Sequence, residues 1–251
     1  MDTIAMRIEG VRERIAAAAR RAGRSPEQIR LIGVSKTHPP ELVAQALLAG
    51  LRDFGENRVQ EAEPKIAALA AERNAITWHL IGHLQSNKAK RAGALFDVVH
   101  SVDSVALAEA LARGVAGAAP NLQSPTSTPL AILLQVNVSG EASKDGFDLA
   151  GWETRPELLD RFFAEVEQLL ALPNLRVGGL MTIAPWGDDP SLARPTFRSA
   201  QQLRDSLAQR FQSADWSALS MGMSDDFEVA IAEGATIVRV GRAIFGIRDA
   251  Q

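Results

Sequence analysis

Lys36 closes the apolar run Leu31-Ile32-Gly33-Val34-Ser35 and is followed by Thr37-His38-Pro39-Pro40. The chain carries 27 Lys plus Arg, yet only five are Lys: Lys36, Lys65, Lys88, Lys90 and Lys144. Arg is the default cation, so a Lys at the mouth of a short strand invites a chemical reading. Unlike Arg, Lys can lose its proton when desolvated and attack a carbonyl as a free amine. The plain alternative is a strand-end Lys that snorkels to water.

Other polar groups stand at the ends of the apolar runs in the same way. Gly55-Glu56-Asn57 follows one run and Gly82-His83-Leu84-Gln85-Ser86-Asn87-Lys88 the next. His100-Ser101, Asn137 and Met181-Thr182 close three more. Ser220-Met221-Gly222-Met223-Ser224 and Gly241-Arg242 close the last two, and these resemble an anion site. A Gly turn lets the backbone approach an anion, and N–H groups at a helix start suit a phosphate. Ser224 and Asp225 also read as an ordinary helix cap, which uses the same end of the helix. Arg239 lies inside the apolar alternation Ile237-Val238-Arg239-Val240, where a permanent cation needs an acceptor. That acceptor is a ligand in one reading and a structural carboxylate in the other. His79 and His83 lack the helix spacing and neighbouring Glu of a zinc motif, so no metal site is expected. Asp188 and Asp189 read as a solvated acidic loop.

The elements that must position these groups alternate. Strands are expected over 31–35, 53–55, 77–81, 97–101, 131–138, 175–181, 218–221 and 236–240. Helical patterns fall over 41–49, 59–71, 105–113, 156–170, 192–211 and 226–233. An amphipathic helix with Ile4, Ile8, Val11 and Ile15 precedes them and ends near Gly23. About eight β-then-α units predict a closed (β/α)8 TIM barrel with an extra N-terminal helix; a doubly wound open sheet is the runner-up. The stretches 114–129, 139–156 and 184–195 read as loops. Barrel sites are built from strand C-termini, so the clustered polar ends predict one site at that face.

A net charge of −3 gives no electrostatic case for nucleic acid or an anionic membrane. With no Cys there is no thiolate chemistry. No apolar stretch approaches the roughly 20 residues that span a bilayer, and the start lacks a signal-peptide pattern. A cytoplasmic protein without membrane or nucleic-acid partners is expected.

At this point the motifs resemble the pyridoxal phosphate homeostasis proteins, whose fold is similar to the barrel domain of alanine racemase. The matching stretches are Val34-Ser35-Lys36-Thr37, Phe54-Gly55-Glu56-Asn57, Trp78-His79-Leu80-Ile81-Gly82, Leu84-Gln85-Ser86-Asn87-Lys88, Ser143-Lys144, Gly179-Leu180-Met181, Leu219-Ser220-Met221-Gly222-Met223-Ser224-Asp225, and Val238-Arg239-Val240-Gly241 with Ile244-Phe245-Gly246. The resemblance implies one PLP-binding barrel domain over residues 1–251, carrying pyridoxal 5'-phosphate (PLP) as a Schiff base on Lys36. It implies phosphate contacts at Ser224 and at amides near Met223, Gly241 and Arg242. It sets Arg239 beside the pyridine nitrogen and Asn57 near the ring. His83 replaces a Pro of many relatives, and Arg242 a Thr. The implied function is intracellular PLP homeostasis without robust catalysis, as a monomer, with PLP-dependent apo-enzymes as partners. The alternative is a PLP-dependent amino-acid racemase. In alanine racemase a Tyr from a second domain of the partner subunit serves one face of the substrate, and this chain has no Tyr. A Schiff-base aldolase acting on a phosphorylated sugar is a more distant reading.

Overall fold

The computed structural model describes residues 3–116, 129–187 and 189–246. Most of the expected loop 114–129, and Asp188 of the acidic loop, lie outside the described residues. Nine strands are described: β1 (Arg30–Val34), β2 (Asp53–Glu56), β3 (Thr77–Leu80), β4 (Val98–Val102), β5 (Leu130–Asn137), β6 (Phe147–Asp148), β7 (Leu175–Met181), β8 (Ala218–Ser220) and β9 (Ile237–Val240). All pairings are parallel. Setting aside the two-residue β6, the order β4-β3-β2-β1-β9-β8-β7-β5 is closed by pairing of β4 with β5. This is the expected (β/α)8 barrel, and the open-sheet alternative is excluded by the closure.

The helices are α1 (Ile4–Arg21), α2 (Pro40–Leu48), α3 (Val59–Ala68), α4 (Ala89–Leu95), α5 (Val105–Ala116), α6 (Pro156–Leu170), α7 (Arg194–Arg210), α8 (Phe227–Ala232) and α9 (Arg242–Phe245). Thr3 caps α1 by accepting the Met6 N–H, and Ile4, Ile8, Val11 and Ile15 are buried on one face. That face packs against α8, α9 and α2. Burying each such side chain contributes about 1.5–3 kcal/mol. The expected loop 139–156 contains β6 and a 3-10 turn at Trp152–Thr154; the stretch 184–195 ends in a 3-10 turn at Pro190–Ala193.

Strand alternation divides the core into two layers. Outward residues such as Phe54, Trp78, Val99, Val238 and Val240 join the large cluster under the helices. Ile32, Leu133, Met181 and Ile237 form a small separate cluster within the ring. Gly179 shows how closely the strands pass. Its φ is +145°, and a Cβ there would lie 1.8 Å from the Ala218 carbonyl oxygen. No rotamer can relieve a clash with backbone. We expect Gly179→Ala to destabilise the protein by about 3 kcal/mol or more, combining overpacking and backbone strain; urea unfolding measures it, and a loss within about 0.5 kcal/mol, the usual range for neutral surface changes, would contradict the close approach.

Candidate functional site

Lys36 stands where β1 meets the C-terminal face. The strand ladder continues past Val34, because the Ser35 N–H donates to the Gly55 carbonyl at 3.0 Å. Ser35 turns toward the helices, and its hydroxyl donates to Glu56 Oε1 at 2.7 Å. Lys65 of α3 donates to the Ser35 carbonyl at 2.7 Å and pairs with the same carboxylate. Glu56 is fully buried, and Lys65 nearly so. Burial pushes the Glu56 carboxyl above its usual range, while Lys65 and Ser35 pull it back. This pair pins the backbone on one side of Lys36; removing either partner would strand a buried charge. On the other side Thr37 takes φ +66°, and His38 stacks on Phe245 with ring centroids 5.3 Å apart. The alternation that turns Ile32 inward and Ser35 outward puts half-buried Lys36 on the inner side. Sequence reasoning missed the Lys65 anchor. Its signal was there: Lys65 falls on the apolar face of α3 with Val59, Ala62 and Ile66.

Arg239 shares its inward parity with Ile237 and is 4% exposed. It forms none of the described salt bridges on the helix side. Its Nη1 donates to Ser220 Oγ at 2.7 Å and its Nη2 to the Thr182 carbonyl at 3.0 Å. Burial pushes the guanidinium down to about 10, opposed by the nearby Asp226 carboxylate. Ser220 Oγ lies 3.0 Å from His100 Nδ1, His100 Nε2 lies 2.9 Å from His79 Nδ1, and His79 Nε2 lies 3.0 Å from Asp53 Oδ1. Both imidazoles are fully buried. His100 is held well below the usual imidazole range, first by desolvation and then by His79, Arg239 and Arg30.

The His100 shift has a measurable sign. Above about pH 6.5 the imidazole is neutral in both folded and unfolded chains and makes no difference. Below it, the unfolded chain takes up a proton that the folded chain refuses, so stability falls with falling pH. The His100 contribution should approach about 1.4 kcal/mol per pH unit below pH 6.5. Denaturant titrations between about pH 6.5 and 5.5 should show a steeper loss in the wild type than in His100→Gln. Equal slopes would place His100 in a wetter site.

The two glycine segments lie at the C-terminal ends of β8 and β9. Gly222 has φ +92°, and a Cβ there would lie 2.6 Å from Ala230 Cβ and 2.9 Å from Phe227 Cα. Its carbonyl accepts the Arg239 N–H at 3.0 Å, tying the loop after β8 to β9. Gly241 lies against Val34, with a built Cβ 3.3 Å from the Val34 carbonyl oxygen. Ser224 is half-buried in the turn before α8. The Met223 N–H donates to Asp226 Oδ1 at 2.6 Å, so an incoming anion must displace a carboxylate from that amide. Arg242 reaches the neighbouring loop: its guanidinium pairs with Asp225.

Asn57 follows β2 at the edge of a groove of about 550 Å³ lined also by Arg58, His83, Gln85 and Lys88. Gly82 packs directly on it; a Cβ would lie 2.3 Å from the Asn57 carbonyl oxygen. His83 Nδ1 lies 3.4 Å from Asp103 and 3.3 Å from Asp145, which follow β4 and β5. Asn137 holds the loop after β5 by donating to the Glu141 and Lys144 carbonyls and accepting from Ser139 and Gly140. The mouth thus gathers an amine, a buried donor-only cation and a glycine-rich backbone cradle. Those groups can bind a carbonyl compound that carries a neutral acceptor and a phosphate.

Comparison with known proteins points the same way. A family model described as the alanine racemase N-terminal domain matches residues 7–249. A pyridoxal phosphate homeostasis protein of Pseudomonas aeruginosa is 45% identical over 250 residues, covering 99% of this chain and 97% of that protein. One from Aquifex aeolicus is 42% identical over 242 residues, covering 96% and 97%. The solved structure of PipY from Synechococcus elongatus PCC7942 with PLP bound is 37% identical, with TM-score 0.79, covering 97% of this chain and 100% of that one. Alanine racemase of Clostridium difficile 630 shares the fold alone, at 13% identity and TM-score 0.67; this chain covers 58% of it.

Proposed function

The chain belongs to the pyridoxal phosphate homeostasis protein family, and from that premise we propose that it binds PLP at the C-terminal mouth of its barrel and serves intracellular PLP homeostasis. Arg239 is the observation that carries this reading. It is a donor-only cation buried on the inner face, and the acceptors that hold it, Ser220 and Thr182, are neutral. The residues present fit the cofactor. Lys36 supplies the amine for its aldehyde. Ser224, with the amides of Met223, Gly241 and Arg242, would hold its phosphate, and Asn57 would flank its ring. Gly222 packs on Phe227 and Ala230, and Gly241 on Val34, where a Cβ would lie, which holds in place the two turns that carry these amides.

Bound PLP supplies an electron sink whose strength depends on protonation of its ring nitrogen. Arg239 donates and cannot accept, so it favours the unprotonated ring and a weak sink. That suits a protein that holds and hands over the cofactor rather than one with robust catalysis. We read residues 1–251 as one PLP-binding domain, working as a monomer in the cytoplasm, with PLP-dependent apo-enzymes as recipients.

The test is a titration with PLP and pyridoxal, followed by absorbance. Ser224→Ala should weaken PLP binding by about 1–3 kcal/mol, the range for losing a hydrogen bond to a charged group. Pyridoxal, without the phosphate, should bind the variant as it binds the wild type. Equal losses for both ligands would move the phosphate elsewhere, and a wild type that binds neither would sink the reading.

A further inference from the structure

The polar residues inside the barrel form one continuous chain from the cofactor face to the opposite face. It runs from Arg239 through Ser220, His100 and His79 to Asp53, with every link at 3.0 Å or less. Asp53 is the first residue of β2, so it lies at the N-terminal end of the parallel ring. His79 and Arg30 line a cavity of about 770 Å³ at that end.

With one proton on each imidazole, the two ends of the chain fix where every proton between them sits. A guanidinium only donates and a carboxylate only accepts. Ser220 Oγ accepts from Arg239 and gives its own proton to His100 Nδ1. His100 therefore carries its proton on Nε2 and donates to His79 Nδ1. His79 in turn carries its proton on Nε2 and donates to Asp53. With one proton on each ring, any other arrangement sets two donors or two acceptors face to face in a buried interior, where an unmade hydrogen bond is costly. Each histidine is then held in a single tautomer. Arg239 itself is a poor proton carrier, so the chain orients rather than conducts.

We propose that Asp53 is a positioning residue for Arg239, acting across the barrel interior through His79, His100 and Ser220. The inference rests on the reading that Arg239 faces the ring nitrogen of PLP. Charge at Asp53 selects the direction of the whole chain. That direction leaves Ser220 as an acceptor for Arg239, which fixes the guanidinium toward the mouth. Asp53→Asn keeps the size but replaces an obligate acceptor with a group that can also donate, so the chain loses its single direction.

The experiment uses the full chain with 15N-labelled histidine, without cofactor and then with PLP or 1-deaza-PLP, whose ring has carbon in place of the nitrogen. Wild type should show a single proton on each imidazole, carried on Nε2. Asp53→Asn should convert His79 to mixed tautomers. It should also weaken PLP about five- to tenfold, the effect of disturbing one charge-assisted hydrogen bond, and change 1-deaza-PLP less than about twofold. Should Asp53→Asn fail to fold, Ser220→Ala cuts the chain at its upper link and should give the same selective loss. Wild-type imidazoles that are protonated on Nδ1 overturn the proposal, as does an equal loss for both ligands. A wild type that binds neither ligand overturns the cofactor reading instead, and the tautomers then still decide whether the chain has its single direction.

Discussion

Lys36→Ala should abolish the visible absorbance that PLP acquires on binding and leave no adduct after borohydride reduction. Only an amine forms with the cofactor aldehyde an imine that borohydride fixes, and only a neutral amine can attack to form it. The effect should be all or none for the covalent signal. Non-covalent binding through Ser224, Gly241 and Arg239 should survive in weakened form. The fold should survive too. The backbone around residue 36 is held by Ser35, Glu56 and Lys65, none of which the substitution removes. An unfolding midpoint close to wild type, with the band gone, separates lost chemistry from lost structure. A retained band in the variant would assign the attachment to another amine.

The second large effect is an absence of turnover. Incubated with PLP and L-alanine or other L-amino acids, the protein should form the D-enantiomer and exchange the α-proton no faster than free PLP. Two-base racemisation needs an acid–base group on each face of the α-carbon. Lys36 can serve one face. No Tyr exists in this chain to serve the other. The structure does supply a group worth watching. His83, half-exposed at the mouth, lies within 3.4 Å of both Asp103 and Asp145. Two carboxylates can orient an imidazole. A rate in the ordinary enzyme range of about 1 to 1,000 per second would overturn the carrier reading. In that case His83→Ala should remove the rate, naming the second base.

Much of the barrel was legible in the sequence because each buried strand is a short apolar run that ends in polar residues, and those runs repeat. The misses have physical causes. α4 (Ala89–Leu95) is short and built from Ala, Gly and Leu between basic residues, with little periodic contrast. β6 and α9 are too brief to leave a pattern. At the site, Lys36 and Arg239 stood out as charges at apolar positions. Whether Arg239 faced the barrel axis or the helices depended on ring closure, which periodicity along one strand does not contain. The buried contacts were illegible for a related reason. Ser220 meets His100 from 120 residues away. Such contacts follow from the register between strands, which only the assembled sheet fixes.

Lys36 is the residue expected to hold the cofactor. The most direct test is to reduce the wild-type PLP complex with borohydride, digest it, and locate the pyridoxyl group by mass spectrometry. Four other lysines are described: Lys65 is buried against Glu56, Lys144 lies near Glu141, Lys90 stands in the first turn of α4, and Lys88 lines the groove at Asn57. One modified peptide is expected, the one that contains Lys36. A pyridoxyl group on Lys65, Lys88, Lys90 or Lys144 in place of Lys36 would contradict that expectation.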